Sequence, residues 1–461
     1  MTTTSVPYYL AGEMAPVPDE IDAVDLEVTG KLPPELSGRY FRNGPNPLPG
    51  TDPGHGFLGQ GMLHGVHIHD GKAQWYRNRW VHTPMMDGIR PDRSDPTSAL
   101  ANNVSNTSVI HHAGKILSLV ENGFPWEITK ELDSVGPWDF NGKLTTAMTA
   151  HPKLDPATGE LFFFGTGVRP PYLTYHRLNA AGELVRSVAI TVPGPTMMHD
   201  FAITENHILW LDLPVVFDLA LTRTPGMPYR WSDEYGARIG VMPRDGGDAD
   251  VTWIDVEPGY AFHVANAHED ASGKILLDAV RYDPAAFDRV WTDLGGTAAL
   301  SQALASGRDS GGHLHRWVLD TIAGTVSEQC LDDVPVEYPT VNNERTGHNS
   351  RLVYAISTPV LIDTENPPSI VKYDTEDGGK DAYLLGAHWV PGEAEFVPAP
   401  GGTREDDGWL VSIVTHDCAN VAALVVIDAG DVAAGPVATV QLPRRVPIGF
   451  HGTWIPDDIE K

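Results

Sequence analysis

Cysteine is all but missing from this chain. Cys330 and Cys418 are the only two in 461 residues, too few for a disulfide framework or a thiolate-built metal cluster, and a reducing cytoplasm is the expected setting. Positive charge is scarce as well. The 32 Lys and Arg stand against 61 Asp and Glu, a net charge of −29, which repels nucleic acid and argues against electrostatic docking on anionic lipid. Long hydrophobic runs are lacking: no stretch nears the roughly 18 apolar residues that span a bilayer, and Met1 to Asp22 has neither the basic nor the apolar region of a signal peptide. A partner or substrate is therefore expected to be a small uncharged molecule, or one brought in by hydrophobicity.

What the chain does contain is turns and short apolar runs. With 46 Gly, 38 Pro and 41% hydrophobic residues, many short strands are expected rather than long helices, which makes the fold class all-β. Runs such as Gly159-Glu-Leu-Phe-Phe-Phe, His207-Ile-Leu-Trp-Leu, Gly273-Lys-Ile-Leu-Leu-Asp and Arg351-Leu-Val-Tyr-Ala-Ile recur behind turn formers. Repetition at intervals of tens of residues is the mark of a radial array of small sheets, a β-propeller, in which sheet edges are hidden. Asp283 to Leu304 carries Phe287, Val290, Trp291 and Leu294 at helical spacing, which predicts a helical insertion capping one face. No linker divides the chain, so residues 1–461 read as one domain.

Three histidines repeat in register with this pattern. His151, His199 and His263 precede the strand starts Leu161, Ile208 and Ile275 by 10, 9 and 12 residues. Equivalent positions on successive blades converge on a propeller's axis, and His451, set in Pro447-Ile-Gly-Phe-His-Gly-Thr-Trp near the end of the chain, would join them from the last blade. Four neutral imidazoles suit Fe, Zn, Cu or Ni. His207, His268 and His348 read as ordinary packed residues. His67 and His69 alternate as strand neighbours do, and His-x-His on a strand can be half of a metal site. No third histidine follows them at short range, so they read as structural.

These residues resemble those of the carotenoid cleavage oxygenase family. Gly38-Arg-Tyr-Phe-Arg-Asn-Gly-Pro-Asn-Pro, the glycine-rich stretch from His55 to His64, and Thr149-Ala-His-Pro-Lys, Met198-His-Asp-Phe, Phe262-His263 and Gly449-Phe-His-Gly carry the resemblance, which spans nearly the whole chain. It implies a seven-bladed β-propeller with a helical or loop cap over the active-site face. It also implies Fe(2+) held by His151, His199, His263 and His451, with glutamates orienting several of these imidazoles. Glu121, Glu337 and Glu393 match those glutamates, and Glu395 could replace Glu393. A carboxylate that accepts from Nδ1–H fixes the tautomer that frees Nε2 for the metal.

The activity implied is cleavage of a conjugated carbon–carbon double bond by O2, on a carotenoid or apocarotenoid. Phe262, Phe450 and Trp454 are candidates to line the substrate tunnel and to face positive charge developing on a polyene. The alternatives are cleavage of a stilbene-like phenylpropanoid, or a non-catalytic binding propeller whose histidines only pack. The stilbene-cleaving branch, as the resemblance presents it, carries a lysine before the first glutamate and a tyrosine upstream. Here Val120 precedes Glu121, and no tyrosine lies between Val81 and Val120. An unpaired buried phenol would cost about 1 to 3 kcal/mol, so an apolar polyene is favoured. Contact with membranes is expected to be peripheral, through an apolar patch at Leu213-Pro-Val-Val-Phe-Asp-Leu-Ala-Leu.

Overall fold

The run Leu352–Ser357 is buried at every position, whereas the outer run Thr325–Cys330 alternates between half-buried and exposed. That contrast is the logic of the architecture. A strand inside a blade has a neighbouring blade on each face and so reads as continuous apolar sequence, and a strand at the rim has water on one side. The computed structural model describes residues 6–92, 94–296, 311–357, 367–386 and 388–457. Within them, seven antiparallel sheets of four to six strands form a seven-bladed β-propeller, with one separate two-stranded hairpin, Val215–Phe217 against Tyr229–Trp231.

Apolar side chains weld blade to blade. Phe162, Phe164 and Tyr175 of the third blade pack against Phe201, Trp210 and Met242 of the fourth. Val411, Leu424 and Val440 of the last blade pack against Tyr40, Val66 and Tyr76 of the first. Each such side chain contributes about 1.5 to 3 kcal/mol on burial.

The ring is closed by exchange of terminal strands. Val28–Gly30, near the chain start, is the outermost strand of the last blade, paired with Pro436–Gln441. Gly452–Pro456, near the chain end, is the innermost strand of the first blade, paired with Gly38–Arg42.

The expected helix is present but shorter than predicted. It runs Pro284–Asp293, opened by the Asp283 side chain accepting from the Ala286 N–H at 2.8 Å, and it buries Phe287, Val290 and Trp291. The remainder of the predicted helix lies partly at residues 297–304, outside the described residues. The cap over the axis is therefore built from this helix, the Val215–Trp231 hairpin and loops. Among the described residues no helix is long and apolar enough to cross a membrane.

Candidate metal centre

All four predicted histidines reach the axis. The offsets seen in sequence arise because Leu161 and Ile275 begin, and Ile208 lies one residue inside, the second strand of a blade. An innermost strand lies between histidine and offset mark: His151 and His199 stand two residues before Lys153–Leu154 and Phe201–Ile203. His263 sits inside its innermost strand, Tyr260–Glu269, where pairing with the next strand is irregular on either side of Val264.

The Nε2 atoms of neighbouring histidines lie 3.0 Å apart for His151 and His199, and 3.2 Å apart for both His199 to His263 and His263 to His451. Metal–nitrogen bonds of about 2.1 Å meeting at right angles place their nitrogens about 3.0 Å apart, and tetrahedral ones about 3.4 Å. The spacing is thus that of a metal-binding site, nearer to right-angled ligation, which leaves further positions open. Burial and the other imidazoles hold His151 and His263 well below the ordinary histidine pKa, so both are neutral donors.

Behind the imidazoles stand the three glutamates. His263 donates from Nδ1 to Glu337 at 2.6 Å, His451 to Glu393 at 3.0 Å, and His199 makes a close contact with Glu121. Burial would lower the His199 pKa, but the charge and hydrogen bond of Glu121 outweigh it and raise the value. Glu337 also accepts from the Tyr282 hydroxyl at 2.9 Å and the Tyr338 N–H at 2.5 Å. Burial pushes its carboxyl to about 7, and these donors work against that rise. Glu395 does not touch an imidazole. It accepts from Asn343 at 3.2 Å, and burial together with the Glu393 charge pushes it to about 8. Of the two, Glu393 is the one behind His451. Counting around the ring, every blade supplies one residue: histidines from the third, fourth, fifth and first, glutamates from the second, sixth and seventh.

The glycine-rich N-terminal motif works as the seat of His451. Asn43 N–H donates to the His451 carbonyl at 3.0 Å, its carbonyl accepts from Phe450 N–H at 2.9 Å, and the buried Arg42 guanidinium donates to the Pro447 carbonyl. A Cβ at Gly44 would meet the Gly449 Cα at 2.6 Å. Two backbones touch there, and only glycine permits it. On the opposite side, Asp200 holds two ligand segments together, accepting from Val264 N–H at 2.8 Å and pairing with Lys153 at 2.8 Å.

Beside the centre opens a cavity of about 360 Å³. Phe262 and Phe450 line it, as predicted from sequence, and so do Met197, Val120 and Leu294. Phe57 also lines it, edge-on to Phe262 at 5.9 Å and to Phe450 at 5.4 Å. It belongs to the stretch from His55 to His64, which carries no spacing signal that marks it as a cavity residue. Trp454 is not among the lining residues. It lies on the closing strand opposite Tyr40 and packs in the core between the last and first blades, because alternation along the strand turns it away from the axis. The expected apolar patch is also corrected. Leu213 and Val215 are buried, Phe217 lines the cavity, and Leu219 alone among the large apolar side chains of that segment is widely exposed, at 72%. His207 pairs with Glu269 at 2.9 Å and His268 lies in strand pairing with Leu276, both away from the axis.

Residues 14–456 match the family described as retinal pigment epithelial membrane protein, RPE65. A carotenoid cleavage oxygenase of Mycobacterium tuberculosis is 37% identical, with 97% of each chain covered. The carotenoid 9,10(9',10')-cleavage dioxygenase 1 of Arabidopsis thaliana is 33% identical, over 99% of this chain and 92% of its own. The lignostilbene dioxygenase of Pseudomonas brassicacearum superposes with a TM-score of 0.84 at 29% identity, over 98% of this chain and 99% of its own. With the seven-bladed ring, the converging imidazoles and this likeness over nearly its whole length, the chain belongs to the RPE65 family, the family of the carotenoid cleavage oxygenases.

Proposed function

We propose that the protein is an Fe(II) dioxygenase that splits a conjugated double bond of a carotenoid or apocarotenoid with O2, giving two carbonyl products. The observation that carries this reading is the cavity. It abuts His199, His263 and His451, is walled by aromatic, methionine and aliphatic side chains, and has no lysine or arginine among its lining residues. Such a surface desolvates a polyene without loss, whereas it gives a phenolate no countercharge. Iron is the ion expected for a four-histidine centre in this family. Four neutral donors leave an Fe(II) ion its full charge, and the bound ion supplies binding and activation of O2.

The chain's own residues have positioning roles. Glu121, Glu337 and Glu393 fix the tautomer and aim of three imidazoles. Phe57, Phe262 and Phe450 exclude water and offer ring faces and edges to the substrate. Substrate drawn from lipid would reach the cavity past the hairpin segment that exposes Leu219, a peripheral contact at most. Two exposed cysteines that form no disulfide suit a reducing cytoplasm.

A second reading, cleavage of a stilbene-like phenylpropanoid, is favoured by the likeness to the lignostilbene dioxygenase and opposed by Val120 and a lining that holds no lysine or arginine. Incubating iron-loaded protein with carotenoids, apocarotenals and stilbenes, and weighing the products by mass spectrometry, tests both. Aldehydes from a polyene are expected. Turnover of a 4-hydroxystilbene with none of any apocarotenal overturns the polyene reading.

A further inference from the structure

Asp70 alone is a carboxylate next to His67 and His69 in sequence, and the structure brings another to the pair from far along the chain. Both histidines lie on the strand Met62–His69 and, two residues apart, point to the same face. Asp457, directly after the closing strand Gly452–Pro456, reaches that face. Its Oδ2 lies 2.9 Å from His69 Nδ1 and 3.3 Å from His67 Nε2. One ligand atom from each of the three falls within 4.8 Å of the others.

We propose that His67, His69 and Asp457 form a second metal site, for a borderline divalent cation such as Zn2+, which pins the C-terminal strand to the first blade. Zinc bonds of about 2.0 to 2.2 Å set ligand atoms about 3.0 Å apart at right angles and about 3.4 Å apart in a tetrahedron, and the separations of 2.9 and 3.3 Å lie near that range. Two imidazoles and one carboxylate are borderline donors of the kind zinc takes, with water completing the shell. Arg39 does not compete for the ion. It pairs with Asp457 Oδ1 at 2.5 Å and so orients the carboxylate, with Oδ2 toward His69 and both oxygens 3.3 Å from His67 Nε2. Its other amino group lies 3.6 Å from Glu131, which offsets its charge.

Both imidazoles suit the role. The His67 side chain is 16% exposed and turns Nε2 to the carboxylate. The His69 side chain is 56% exposed, so its ring proton moves to the solvent side when Nδ1 binds the ion. The site is separate from the four-histidine centre in ligands and in role. It bridges the first and last strands of a three-strand run, Met62–His69, Gly38–Arg42 and Gly452–Pro456, in the first blade.

The test uses the full chain, loaded with Fe(II) and equilibrated anaerobically in a zinc–chelator buffer, with iron and zinc then counted by elemental analysis. Wild type is expected to hold one zinc per chain beyond its iron. His69→Ala, an exposed change that leaves the core untouched, is expected to lose that zinc and keep the iron. Asp457→Asn is expected to weaken zinc binding about tenfold or more. Added zinc should raise the thermal midpoint of wild type and leave that of His69→Ala unmoved. Equal zinc in wild type and His69→Ala, or no zinc in wild type beyond that displacing iron, overturns the proposal.

Discussion

Replacing Glu337 with Gln separates the charge behind His263 from its hydrogen bonds. The carboxylate is 1% exposed and receives three donors: His263 Nδ1–H, Tyr338 N–H and the Tyr282 hydroxyl. An amide has one acceptor oxygen. Turned toward His263 and Tyr338, it leaves its NH2 facing Tyr282, whose hydroxyl can rotate to accept. The ring therefore keeps its aim, and the negative charge that strengthens the imidazole as a donor is what disappears.

Partners of this kind govern metal affinity by about 10- to 100-fold, equal to about 1.4 to 2.7 kcal/mol, and Glu337→Gln is expected in that interval. Ala would strand three buried donors at about 1 to 3 kcal/mol each, comparable to the stability of a whole domain, so it is the poorer experiment. The control is Tyr282→Phe. It removes one donor and leaves the His263 contact, so iron affinity should change by less than about threefold. Anaerobic competition for Fe(II) against a chelator, with thermal midpoints in parallel, gives both numbers. A folded Glu337→Gln protein that binds iron as wild type does would refute the assigned role.

His263→Ala should lose iron and activity, while His268→Ala, five residues on, should keep both by metal analysis and turnover. Val120→Lys places an ammonium in the apolar cavity, and polyene turnover should fall more than tenfold; unchanged turnover would show that the substrate does not pass that wall. Glu269 resists burial through hydrogen bonds from Thr204, Asn206 and His207 that hold its pKa at about 2. Since that lies below the model-peptide value, its contribution is present above pH of about 4.5 and fades as pH falls toward 2. Glu269→Gln should cost about 1 to 2 kcal/mol at pH 7, after allowance for solvent, with the gap to wild type closing on acid titration of stability.

The repeat of three histidines against three apolar runs exposed the axis in sequence, because a propeller spends nearly constant lengths of chain between equivalent points. What escaped notice lies where the chain meets itself across long separations. His69 and Asp457 are 388 residues apart, and His451 and Glu393 are 58 apart. Spacing cannot report such contacts, and the glutamates came from family likeness alone. Trp454 was misplaced for a local reason, since proximity in sequence to His451 says nothing about which face of a strand a side chain takes. Phe57 escaped because its glycine-rich surroundings carry no period. The run from Leu213 turns its first residues inward, because an apolar run marks burial as readily as exposure.

Closing the ring with its last strand has a consequence for biosynthesis. His451 directly precedes that strand, so a chain emerging from the ribosome has made three of its four imidazole ligands, and six of its seven inner contributors, long before the fourth exists. Until Gly452–Pro456 zips onto Gly38–Arg42, the axis carries an open-sided, three-histidine site with Glu393 lacking its partner. The full four-histidine set at the axis, with Glu393 behind His451, therefore comes together only when this closing strand has paired with Gly38–Arg42.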